Sequence, residues 1–201
     1  GALFMSAEPR KVVLMCGGPS AEYVVSLTSA RHVAHYLDRH RYHVRVACVE
    51  ETGDWIFPEE TWTNDTPPSR IDKLFDLLDM PEFCPAGYLT RRTPAEAVAR
   101  LQQWRPDMVL PIMHGAFGED GRLQGMLEFL GFPYVGPGVL ASALSMDKKR
   151  AKDFLSAHGI RVPKHMMLSS RTSPAHREDQ LAACGNLLGW PLVVKPNRGG
   201  S

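Results

Sequence analysis

The sequence predicts an α/β fold whose first part is an open parallel sheet flanked by helices, and three stretches carry that prediction. Lys11-Val12-Val13-Leu14-Met15-Cys16 is a continuous apolar run that breaks at Gly17-Gly18-Pro19, as a strand covered on both faces does when it leaves a sheet. A helical stretch with Leu27, Ala30, Ala34 and Leu37 on one stripe follows, and Ser20 or a neighbour is placed to cap it. Val44, Val46 and Cys48 then alternate as a second strand. Strand, glycine turn, helix and strand in that order form a βαβ unit, and its strands run parallel. With 201 residues, 44% of them hydrophobic, the chain can bury a substantial core as one large or two small domains.

The later elements follow from the same signals. Residues 50–92 hold Pro58, Pro67, Pro68, Pro81 and Pro85 around one apolar cluster, Leu74, Phe75, Leu77 and Leu78. They are expected to form a long excursion with one short helix and no chemistry. Thr93-Pro94-Ala95-Glu96 is a capping box with proline at the first helical position, and predicts a helix to about Trp104. After the turn at Arg105-Pro106-Asp107, residues 108–113 form an apolar strand interrupted only by Pro111, and His114 lies just beyond its end. Gly115, Gly118, Glu119, Asp120 and Gly121 make a turn. Leu123, Met126, Leu127 and Leu130 then mark an amphipathic helix that Gly131 closes.

Tyr134-Val135 is a short strand-like pair, and Gly136-Pro137-Gly138 is the natural place for a domain boundary. A second helical run ends in Asp147-Lys148-Lys149-Arg150, and a further helix closes with Phe154 and Leu155 before Gly159. Residues 160–168 are strand-like. A helix through Leu181, Ala182 and Cys184 reaches Leu188, and Trp190-Pro191-Leu192-Val193-Val194-Lys195-Pro196 reads as a strand presenting Lys195 at its end. Asn197-Arg198-Gly199-Gly200-Ser201 begins a glycine-rich loop.

Composition removes several function classes. Lys+Arg 23 against Asp+Glu 22 leaves no charge excess to draw nucleic acid or an anionic membrane. The apolar runs are too short to span a bilayer. Gly1-Ala2-Leu3-Phe4 lacks the features of a signal peptide and reads as a remnant ahead of a natural Met5. Cys16, Cys48, Cys84 and Cys184 show no C-x-x-C spacing, and the two in strand-like runs read as free buried thiols, which fits a reducing cytoplasm. His32, His35, His40 and His43 have no supporting cysteine or carboxylate at ligand spacing. They read as a solvated face, and no metal ligand is assigned.

The residues suited to chemistry lie at strand ends, where ligands gather in open α/β sheets. The turn after the first strand is neither a dinucleotide fingerprint nor a Walker A loop, and Glu22 taken alone is a first-turn acid facing the positive end of a helix dipole. Glycines around His114 let backbone approach a ligand closely, whereas Glu119, Asp120 and Gly121 read as a cap and turn that fix the loop. Lys195 interrupts an apolar strand, where a cation needs a counter-charge or an anionic ligand. Lys149, Arg150 and Lys152 read as solvated surface.

Met113-His114-Gly115-x-x-Gly118-Glu119-Asp120-Gly121-x-Leu123-Gln124-Gly125, close to Ser145-Met146-Asp147-Lys148, resembles the D-alanine–D-alanine ligases of the ATP-grasp superfamily. Gly17-Gly18-Pro19-Ser20-Ala21-Glu22-Tyr23-Val24-Val25-Ser26 resembles their substrate-binding turn, with a departure at Val24, where many members carry a second Glu. The resemblance implies a Rossmann-like, pre-ATP-grasp substrate-binding domain over residues 5–136 and the incomplete start of an α+β ATP-grasp domain over residues 137–201. It implies a cytoplasmic, homodimeric enzyme that joins two D-alanines for peptidoglycan precursors, using ATP and Mg²⁺, through an acyl phosphate. Glu22 would hold the ammonium of the first D-alanine and His114 would lie near a D-alanine carboxylate. Val25 and Ser26 match the substrate-binding turn, and Lys148 and Lys195 match lysines that contact the nucleotide phosphates. Ser201 matches a serine in a hydrogen-bond network with Glu22. The metal ligands of the family would fall beyond Ser201, so the natural protein is expected to be longer and these 201 residues alone inactive. D-lactate or another D-amino acid as second substrate stays open, as does a non-catalytic binding or dimerisation module of the same fold.

Overall fold

The computed structural model describes residues 8–58, 60–169 and 173–199. It divides into two compact units, the first running to Ala143 and the second spanning Leu144–Gly199. Ser201, Gly200 and the residues before Glu8 lie outside the described part.

The first unit is built on a five-stranded sheet: β1 (Arg10–Gly17), β2 (Tyr42–Val49), β3 (Trp55–Ile56), β4 (Arg91–Arg92) and β5 (Met108–Pro111). Their order is β4-β3-β2-β1-β5, with β1 lying between β2 and β5 and parallel to both. Two packed faces explain the unbroken apolar run in β1. Leu14 and Cys16 join Val44, Val46 and Cys48 in a core under α1 (Tyr23–Tyr36) and α2 (Pro68–Asp79). Val13 and Met15 join Ala47, Val49 and Val109 in a second core under α3 (Pro94–Trp104) and α4 (Arg122–Phe129). Alternate residues therefore need to be apolar in both directions, which is the pattern of a strand covered on both faces.

The excursion at residues 50–92 carries more structure than its prolines suggest. Besides α2 and a 3-10 turn at Pro81–Phe83, it supplies β3 and β4, both antiparallel, so the sheet is mixed. Each of these strands has two residues, too few to show a period in sequence. Ion pairs join α2 to α1. Asp72 accepts from Arg31 Nε at 2.8 Å and lies 2.9 Å from His35 Nε2, and those two partners hold its carboxyl below the usual range. Asp76 takes Arg31 Nη1 at 2.8 Å.

The capping signals behave as expected. Thr93 and Glu96 form a reciprocal capping box with Pro94 at the first helical position, and α3 ends on Arg105 in the left-handed region at φ 49°. Gly131, at φ 72°, follows α4. The pair 134–135 contributes a single parallel bridge, Tyr134 to Val109 beside β5.

The helical run expected to end in Asp147-Lys148-Lys149-Arg150 is instead two helices, α5 (Val139–Met146) and α6 (Lys148–Ala157). Asp147 breaks them because its backbone is extended and its side chain accepts the Arg150 N–H, making it the N-cap of α6. The second unit also holds α7 (Pro174–Leu188). No strand forms at residues 160–168 or 190–196, where strands were expected. An extended segment becomes a strand only when another chain segment hydrogen-bonds along it, and none of the described residues does so there. Val193 and Val194 consequently stand 80% and 75% exposed.

The Thr93 cap gives a direct check on this reading. Thr93→Ala removes the acceptor for the Glu96 N–H and should cost about 0.5–2 kcal/mol in a urea unfolding experiment followed by circular dichroism.

Candidate functional site

The carboxyl ends of β1 and β5 lie side by side, and the turns leaving them carry Glu22 and His114. β1 ends in Gly17, at φ 79°. A Cβ there would stand 2.2 Å from the carbonyl oxygen of Val49, so only glycine permits the turn. Gly18 N–H donates to the same carbonyl at 2.7 Å. The chain then reaches Glu22, at the N-cap position of α1, where its side chain makes no capping bond.

Serine side chains fasten this turn to the segment after β5. Ser26, fully buried on α1, accepts the Gly17 N–H at 2.8 Å and donates to the Ile112 carbonyl at 2.5 Å. Ser20 donates to the His114 carbonyl at 2.9 Å and accepts the Glu22 N–H at 3.2 Å. Ser29 Oγ lies 3.2 Å from His114 Nε2. Ser26, expected among the substrate-binding side chains, is therefore a strut: it has no exposed surface, and backbone groups occupy its hydroxyl. Val25 is on the outer side of α1, 52% exposed, and Val24 is 57% exposed. A position open to solvent tolerates either valine or a carboxylate, which accounts for Val24 physically.

Glu22 lies against Gly115, the residue that follows His114. A Cβ on Gly115 would lie 2.5 Å from Glu22 Oε2, and Gly115 has φ 72°, so the carboxylate rests on bare backbone. Among the described residues none hydrogen-bonds to the Glu22 carboxylate or to His114 Nδ1. The loop itself is held by its acids. Glu119 accepts the Gly115 N–H at 2.7 Å, and Asp120 accepts the N–H groups of Phe117 at 3.0 Å and Arg122 at 3.1 Å. Gln124 adds a bond to the Gly118 carbonyl at 2.8 Å. An anionic group and an imidazole, both with free valences beside a side-chain-free residue, suit a small zwitterion carrying an ammonium and a carboxylate.

Two supports below this turn were not read from the sequence. The Tyr23 hydroxyl donates to the Leu78 carbonyl at 3.3 Å and lies 3.5 Å from Cys48 Sγ. Burial, and then the neighbouring Cys48 thiol, push its ionisation well above the usual tyrosine range. Cys16 is raised as well, by its hydrogen bond to Cys48 and by burial, so its thiol stays protonated. At the end of β2, Glu50 takes a two-pronged bond from Arg91 at 2.7 and 2.8 Å. The nearly buried carboxylate is thus paired, and it pins the excursion to the sheet. Nothing in the composition of residues 50–92 signals this. Ser29, three residues after Ser26 on the same helical face, is a signal that the sequence carries.

In the second unit the lysines at 148 and 195 belong to segments joined by backbone. Lys148 N–H donates to the Asn197 carbonyl at 3.1 Å, and Lys149 N–H to Asn197 Oδ1 at 2.9 Å. Lys148 Nζ reaches the Gly199 carbonyl at 2.7 Å. Asp147 organises the junction, accepting from Arg150 N–H at 3.1 Å, Asn197 Nδ2 at 3.0 Å and Arg198 Nε at 3.0 Å. Lys195 is exposed and not embedded in a strand, because the expected strand does not form. The expected site residue Ser201 lies outside the described residues. Among the described residues no three His, Cys, Asp or Glu side chains converge as metal ligands, and no helix is long and apolar enough to cross a membrane.

An open, mixed α/β sheet with Glu22 and His114 in the turns at its strand ends, followed by a lysine-bearing helical unit, is an arrangement shared with solved D-Ala ligase structures. Residues 11–137 match the family described as D-ala D-ala ligase N-terminus, and the chain belongs to that family. It is 36% identical over 207 residues to a D-alanine–D-alanine ligase of Mycobacterium bovis, covering 98% of this chain and 54% of that protein. A D-alanine–D-alanine ligase of Bacillus pumilus is 35% identical over 188 residues, with 94% and 51% covered. Among solved structures, the VanG D-Ala:D-Ser ligase from Enterococcus faecalis superposes with a TM-score of 0.67 at 30% identity, covering 96% of this chain and 54% of that one. The chain spans about half the length of the curated relatives it matches.

The junction at Asp147 has a pH signature. The Arg150 N–H first, then Asn197 and Arg198, hold its carboxyl down to about 2. A lowered folded-state value means stability that is complete above the ordinary value of 3.8 and is lost as pH falls toward 2. Protection factors of the amides at the start of α6 should therefore fall between about pH 4 and pH 2 in the native protein, and Asp147→Asn should flatten that dependence.

Proposed function

We propose that this chain is the D-alanine-binding part, with the beginning of the nucleotide-binding part, of an ATP-dependent ligase that joins two D-alanines for peptidoglycan precursors. The observation that carries the reading is the Glu22 carboxylate resting on Gly115, the residue after His114, in a chain of this family. The boundary between the parts is placed at residues 136–138. The full protein is read as a cytoplasmic homodimer.

In this reading Glu22 binds the ammonium of the first D-alanine and His114 lies beside a D-alanine carboxylate. Gly115 leaves room for the small substrate, and the Ser20 and Ser26 bonds keep the two groups at fixed separation. Lys148 and Lys195 offer ammonium groups to phosphate oxygens, and the donor character of this junction suits a polyphosphate. ATP supplies the phosphoryl group that activates the carboxylate of the first D-alanine for attack by the amine of the second. Among the described residues no three acidic side chains converge to hold Mg²⁺. Ser201 is proposed to hydrogen-bond within the Glu22 network.

Two measurements test this reading. Glu22→Gln should raise the KM for the first D-alanine by roughly ten- to hundredfold, equivalent to about 1.5–3 kcal/mol for a charge-assisted bond, and unchanged kinetics for both substrates would remove Glu22 from the site. Lys195→Ala should weaken ATP binding, measured by calorimetry, far more than Lys149→Ala does. Lys149 is already engaged by Asp153 on the helix surface, and equal affinities would displace the phosphate site from Lys195.

A further inference from the structure

The hydroxyl of Ser29 has a task that its neighbour Thr28 does not share. Thr28 Oγ1 donates back along the helix to the Val24 carbonyl at 3.0 Å, the usual resting place for a helical hydroxyl. Ser29 makes no such bond. Among the described residues its only hydrogen-bond partner is His114 Nε2, 3.2 Å away across the gap from α1 to the β5 turn.

Because the Ser29 hydroxyl bonds to no carbonyl among the described residues, its proton is available to Nε2, which then accepts. A neutral imidazole then carries its proton on Nδ1, the nitrogen that no described residue engages. We propose that Ser29 is a positioning residue that fixes the Nδ1–H tautomer of His114, so that the ring presents a hydrogen-bond donor to the carboxylate of bound D-alanine. The inference rests on the reading of His114 as a substrate-facing residue.

The arrangement is economical because α1 sets both halves of the site. Its first residues carry Glu22, an acceptor for an ammonium, and its second turn carries Ser29, which turns His114 into a donor for a carboxylate. With the opposite tautomer, Nδ1 would turn a lone pair toward the substrate carboxylate and repel it. The geometry thus links substrate polarity to one serine hydroxyl that need not touch the substrate.

The test uses the protein labelled with ¹⁵N-histidine, at about pH 8, where an imidazole is ordinarily neutral. Long-range proton–nitrogen correlation spectra distinguish the tautomers directly, and the His114 signals are assigned by their loss in His114→Gln. The wild type and Ser29→Thr should show a protonated Nδ1. Ser29→Ala should move toward protonated Nε2, the form that free imidazole side chains favour, and should raise the KM for the first D-alanine by roughly two- to tenfold. Ser29→Thr should restore most of that loss, whereas a purely packing role would be met as well by alanine. Protonated Nε2 in the wild type, or identical spectra for wild type and Ser29→Ala, overturns the inference. D-Alanine addition separates it from the reading on which it rests: His114 signals that ignore saturating D-alanine reject the substrate role, whatever the tautomer.

Discussion

The site hangs on the buried hydroxyl of Ser26. Among the described residues it is the one side chain that bonds at once to the end of β1 and to the segment leaving β5, through Gly17 N–H and the Ile112 carbonyl. Parallel strands hold their register through their ladder, but the ladder stops where the turns begin. Beyond that point the Glu22 and His114 turns would be free to diverge. Ser26 carries the register past the sheet edge, and Ser20 extends the connection by two more residues. Gly17 makes this possible, since a side chain there would collide with Val49 and push the turn off the sheet.

The same logic of fixed ends recurs in the second unit with a different chemistry. There a charged cap, Asp147, replaces the neutral serine. It joins the start of α6 to residues 197–198 by accepting from a backbone amide, an amide side chain and a guanidinium. A neutral strut works at any pH, whereas an ionised one works only while it keeps its charge. The two struts therefore respond differently to acid.

Much of the first unit was legible because its signals are local or strictly periodic. The β1 run, the α1 stripe and the Thr93 capping box each depend on residues within a few positions of one another. His114 could be singled out for the same reason, as it sits in a glycine-rich turn, whereas Glu22 taken alone reads as a first-turn acid and stands out only through the resemblance of its turn to the ligases. What escaped the sequence depends on distant partners. The strands β3 and β4 are two residues each, and only pairing with β2 and with one another defines them. The Glu50–Arg91 clamp spans the whole excursion. The strand expected at residues 190–196 failed for the converse reason, since an apolar composition describes what a segment could pair with and not whether a partner is there.

The margins of the sheet carry a consequence for association. On one side the last strand is Arg91–Arg92, two residues long, with one guanidinium locked onto Glu50. On the other, β5 ends at Pro111, and Tyr134 already occupies a place beside Val109. Short, cationic and proline-ended borders offer few free amides in a row, so they are poor templates for another strand. Self-assembly by lengthening the sheet is thereby discouraged. A partner of this unit is left to recognise it through side chains, with shape and charge setting the choice.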